Sequence, residues 1–179
     1  MNDYKTLTTL NVFRFLYFIY TELDDEYPYN MQECMTDMNI GPSVNEFMQF
    51  LRENYSTLLE TKLNYLDDEY IAKKFEYAED ENAIILSYLI DQYDEPSVQL
   101  GNSPNLGVFV YAEFLAKKNL TDCWNALNEM FESDWDCESL EECMIDLCEE
   151  NDKSWSQLEK DAVNAFNETQ NFVTNAMTA

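Results

Sequence analysis

The residues that could do chemistry in this chain are carboxylates. From Asp122 to Asp152 there are twelve (Asp122, Glu129, Glu132, Asp134, Asp136, Glu138, Glu141, Glu142, Asp146, Glu149, Glu150 and Asp152) and no Lys or Arg. Acids three or four residues apart on a helix can act as a general acid and base, as metal ligands or as an anionic surface. The first role has no specific signal, because any helix of so acidic a chain brings two carboxylates within reach. The second has one local hint, since Asp134-Trp-Asp136-Cys-Glu138 alternates acids as the opening of a calcium loop does. Ser139 then stands where the sharp-turn Gly is required, and Ile145 where the bidentate Glu should be. No metal and no other cofactor is expected.

Absences narrow the chemistry further. There is no His, which removes the commonest general acid or base and the commonest metal ligand. Three Gly leave no glycine-rich phosphate cradle, and the two Arg, Arg14 and Arg52, cannot build a nucleic-acid reading surface. The chain reads as a protein that is not an enzyme.

What remains is charge. Thirty-six acids against ten bases give a formal net charge of −26, well beyond the magnitude of about 2 to 8 that solubility asks of a small domain. Such a field repels nucleic acid and anionic membranes and attracts basic proteins, while its self-repulsion opposes the compact state. The composition is nevertheless that of a folded protein, with 46% hydrophobic and 15% aromatic residues.

These carboxylates need rigid elements to hold them, and the pattern supplies helices. In Ser139 to Asn151, Leu140, Cys143, Met144, Leu147 and Cys148 recur at helical spacing, and Ser139 with Glu142 forms a capping box. Glu138, Glu142, Asp146 and Glu150 then run along another side, together with Glu149. Acids four apart rise about 6 Å along a helix axis, the order of the phosphate spacing along a nucleic-acid strand. Asp122, Glu129 and Glu132 on the preceding helix are candidates for a second row, and Asp134 and Asp136 complete the expected partner-binding set.

The same patterning predicts a mostly α, compact multi-helix domain. Thr8 or Thr9 caps a helix to about Leu23 with Leu10, Phe13, Leu16, Tyr17 and Tyr20 on one side. A short helix is expected from Asn30 to before Gly41. A second capping box, Ser43 with Glu46, opens a long helix through Phe47, Phe50, Leu51, Leu58 and Leu59. One or two helices follow between Tyr70 and Tyr93. Two of the four Pro and two of the three Gly fall in Glu95 to Gly107, which divides an N-terminal helical part, 1–95, from a C-terminal acidic part, 108–179, through a junction at 96–107. A small β-hairpin of Val98 to Leu100 with Val108 to Tyr111 is compatible with that loop. Helical pattern resumes past Glu113 to Lys118; Thr121 caps a helix with Trp124, Leu127, Met130 and Phe131 inward. Ser154 or Ser156 starts a last one that frays in TNAMTA.

Five cysteines without a CxxC pair read as small buried hydrophobes of a reducing compartment. The apolar stretch Val12 to Tyr20 is interrupted by Arg14 and too short to span a bilayer. The expectation is a soluble cytoplasmic protein.

In length, charge, acidic helical faces and missing catalytic residues, the chain resembles the small acidic DNA-mimic inhibitors that phages and mobile elements use against restriction enzymes and CRISPR effectors. That resemblance implies an anti-CRISPR or antirestriction protein that occupies the basic DNA-binding surface of a host defence nuclease. An acidic immunity protein that covers a basic nuclease toxin is the alternative class, and halophilic adaptation would produce similar charge.

Overall fold

The computed structural model describes residues 5–22, 44–61, 106–135, 138–150 and 152–178. Within them the chain is helical and contains no strand: α1 (Thr9–Glu22), α2 (Val44–Asn54), α3 (Ser56–Thr61), α4 (Leu106–Lys117), α5 (Thr121–Trp135), α6 (Leu140–Glu150) and α7 (Trp155–Thr178). The helices expected at Asn30–Gly41 and between Tyr70 and Tyr93, and the strand at Val98–Leu100, lie outside the described residues.

Thr8 starts α1 as its type predicts, its Oγ1 accepting the Asn11 amide at 3.1 Å. The helix is more deeply embedded than one apolar side would make it, because Val12, Phe13, Phe15, Leu16 and Phe18 are all buried. Phe13 meets Phe109 of α4 and Phe166 of α7 edge-on, whereas Phe15 meets Trp124 and Phe131 of α5, and Phe18 also meets Phe131. A helix apolar on two sides is a core helix. Around α1 the other described helices contribute to one hydrophobic cluster, with α4 packed on α1, α5 and α7, and α7 also on α3 and α6.

Several expectations are corrected. Val108 to Tyr111 are not a strand but part of α4, and Leu106 and Gly107, assigned to the junction, are its first residues. Leu106, Val108, Phe109, Val110, Tyr111, Ala112, Phe114 and Leu115 are buried, so burial on nearly every side overrides the β preference of the valines. The long helix through Leu59 is broken at Tyr55. There the Asn54 side-chain Nδ2 donates to the Phe50 carbonyl at 3.0 Å, competing with the backbone, and Tyr55 turns inward against Phe50. Finally, the terminal segment does not fray: α7 continues to Thr178 with Ala176 and Met177 packed on the core.

With so few glycines, two helix ends use polar residues in the left-handed conformation. After α4, Asn119 has φ 52°, its amide donates to Ala116 O and that of Leu120 to Leu115 O. After α6, Asp152 has φ 55°, with matching bonds from Asp152 to Glu149 O and from Lys153 to Cys148 O. Both are Schellman endings with Asn or Asp where Gly is usual. They set the turns that lead into α5 and α7. Thr121 does not cap α5; its hydroxyl donates to the Asn119 carbonyl, and Leu120 O accepts the Trp124 amide. Ser154 does cap α7, accepting the Gln157 amide at 3.2 Å.

Candidate acidic interaction surface

Helix α6 is set by its cap. Ser139 Oγ accepts the Glu142 amide at 3.2 Å, and Glu142 Oε2 accepts the Glu138 amide at 3.3 Å. The reciprocal bond therefore reaches one residue further upstream than the usual box. Cys143, Met144, Leu147 and Cys148 are buried and fix the inner stripe. On the other side Glu138, Glu142, Asp146, Glu149 and Glu150 are exposed, and Glu141 is half-buried. The expected row is thus outside the core, on a helix whose rotation is locked by packing. No ion pair joins any of these acids to a basic residue among the described residues.

The row also works against its own helix. The last turn of α6 has no basic residue, and Glu149, Glu150 and then Asp152 crowd its C-terminal end. Anions there oppose the helix dipole, typically at about 0.3 to 1 kcal/mol for each charge in the last turn. Helix α5, packed beside α6, exposes Asp122, Asn125 and Glu129 along one line.

Glu132 behaves differently from its predicted companions. Its side chain is only 15% exposed and bridges Lys5 at 2.7 Å, so its charge is already compensated. Asp134 is a residue of α5 whose side chain is outside the description, and Asp136 lies outside the described residues. Lys5 is the residue that sequence reasoning missed. Its carbonyl accepts the Trp124 indole N–H at 2.8 Å across 119 positions, a separation at which no local pattern carries a signal.

Among the described residues no group of three or more carboxylates or thiols could hold a metal ion. Cys123, Cys143 and Cys148 are buried in the core; Cys34 and Cys137 lie outside the described residues. No helix of the described residues is long and apolar enough to cross a membrane. Compared with known proteins, the chain matches no family, no curated protein and no solved structure.

Proposed function

We propose that this protein is a non-catalytic DNA mimic that occupies the basic DNA-binding surface of a host defence nuclease, a CRISPR effector or a restriction enzyme. The observation that carries the reading is the row Glu138, Glu142, Asp146 and Glu150 with Glu149: exposed, without ion pairs among the described residues, and held on a helix locked to the core. A sequence selected for stability alone would place cations at the end of α6; departures from local rules of this kind are expected where a surface serves a partner. The spacing of about 6 Å per helical step suits a groove built for successive phosphates. Asp122 and Glu129 on α5 supply further charge beside it.

The test is capture from host lysate at low and high salt, followed by titration of the captured protein with and without EDTA. Stoichiometric, salt-sensitive inhibition with the target mass unchanged supports the proposal. Turnover, a modified target or dependence on a metal overturns it. Capture of a basic nuclease toxin in place of a defence enzyme assigns the chain to the immunity class.

A further inference from the structure

Trp124, Asn128 and Glu132 follow one another at four-residue steps on α5, so they share one face over about 12 Å. Lys5 contacts both ends of this face. Its backbone carbonyl accepts the Trp124 indole N–H at 2.8 Å, and its ammonium reaches Glu132 at 2.7 Å. The segment is moored by the Asn11 side-chain Nδ2, which donates to the Thr6 carbonyl at 2.8 Å, and by Leu7 against the core.

Between those ends sits Asn128, 3% exposed. Its Nδ2 donates to the Trp124 carbonyl at 3.0 Å, but its Oδ1 is buried without a hydrogen-bond partner among the described residues. A buried carbonyl without a donor is costly, and native structures rarely keep one without a reason. A carboxylate and an unused amide oxygen on one helical face are acceptors for a cationic side chain. An ammonium is a point charge, whereas the guanidinium carries five donors in a planar fork.

We propose that the Trp124–Asn128–Glu132 face is a receptor for an arginine side chain of the partner, and that Lys5 is its internal occupant in the free protein. Lys5 satisfies Glu132; an incoming guanidinium satisfies both Glu132 and Asn128 Oδ1, displaces Lys5 and releases the N-terminal segment from Trp124. The identity of the displacing group rests on the reading that the partner is a basic protein; occupancy by Lys5 does not.

The experiment uses the full chain with Trp135→Phe and Trp155→Phe, so that Trp124 is the sole indole, titrated with a hexa-arginine peptide. Binding should change Trp124 emission. Lys5→Met, which removes the competing charge, should tighten peptide binding about fivefold, the equivalent of one partly exposed ion pair. Glu132→Gln should abolish that gain. Lys5→Arg, which keeps the segment in place whatever Lys5→Met does to folding, should weaken peptide binding by a similar factor. Hexa-lysine should bind less tightly than hexa-arginine.

The inference is overturned if both Lys5 variants bind within about 1.5-fold of the parent or if Trp124 emission does not respond to bound peptide. If peptide binding is then lost on neutralising α6, the inhibitor reading stands and this one falls. If the Lys5 effects appear but lysate yields no basic partner, the reverse holds.

Discussion

Glu113 and Asp146 are both carboxylates in mid-helix, yet the molecule treats them in opposite ways. Glu113 on α4 is paired with Lys117 at 2.8 Å and accepts the hydroxyl of the buried Tyr55, whose ring lies 5.7 Å beneath the same ammonium. This joins the α2–α3 break to α4. Asp146 on α6 stands exposed among like charges. The difference is one of allocation: Lys117 and Lys5 pair with carboxylates against the core, whereas among the described residues no base pairs with the exposed acids of α6. A carboxylate near the core is destabilising without a partner, whereas water solvates an exposed one, so the half-buried acids need their pairs and the α6 row does not.

The largest effect that would separate the two regions comes from neutralising the row. Replacing Glu138, Glu142, Asp146 and Glu150 by Gln nearly preserves helix propensity, and Gln is itself a capping-box residue at 142. At about 1 kcal/mol per contact, the quadruple variant should bind its partner roughly 10³-fold more weakly, with a slower on-rate and a shallower salt dependence. Circular dichroism should show the parent fold. A folded variant binding within about twofold of the parent makes α6 a solvated face.

Glu113→Ala should do the converse. It strands the Tyr55 hydroxyl and the Lys117 charge, and should cost about 2 kcal/mol in denaturant titration while leaving partner affinity unchanged. If affinity falls in parallel, the two regions are not separate.

Alkali probes the same cluster. Burial, then the charge of Glu113 and the hydrogen bond to it, hold the Tyr55 hydroxyl far above its ordinary value. In the unfolded chain this phenol ionises near pH 10, so the native state binds the extra proton above that point. Its contribution to stability is complete below about pH 10 and is lost at about 1.4 kcal/mol per pH unit above it. Tyr55→Phe should make the decline between pH 10 and 11 measurably shallower; an identical slope would show that Tyr55 ionises freely in the fold.

The smallest effect lies at the end of α6. Asp152→Gly removes both a left-handed non-glycine residue and an anion at the wrong end of the helix dipole, and should stabilise by about 1 kcal/mol. Asn119→Gly, which relieves only the backbone, should gain a few tenths. A melting temperature lowered by Asp152→Gly would mean that the Asp152 carboxylate has a structural partner, and the contrast with Glu113 would weaken.

Most of the helical map was legible because its signals are local. Thr8, Ser139 and Ser154 bond to amides within the next turn, and the stripe Cys143, Met144, Leu147 and Cys148 fixes which side of α6 faces out. Most errors fall where distant packing overrode a local preference, at the valines of α4, at Tyr55 and at Ala176 and Met177; at Thr121 the hydroxyl turns to the Asn119 carbonyl and leaves the start of α5 to Leu120. The exposure of the acidic row was likewise readable from spacing, but the pairing of Glu132 with Lys5 was not.

What the sequence determined by itself is therefore charge, the starts of α1, α6 and α7 and the outward side of α6, since each depends on residues within one or two turns. Only the tertiary structure decided that α1 is buried on two sides, that Glu113 meets Tyr55 and that Lys5 bonds both Trp124 and Glu132. Those contacts join residues up to 127 positions apart, counting from Lys5 to Glu132. Chain separation of that length leaves no periodicity to read, because the closure is directed by the whole core and not by the neighbours of either residue.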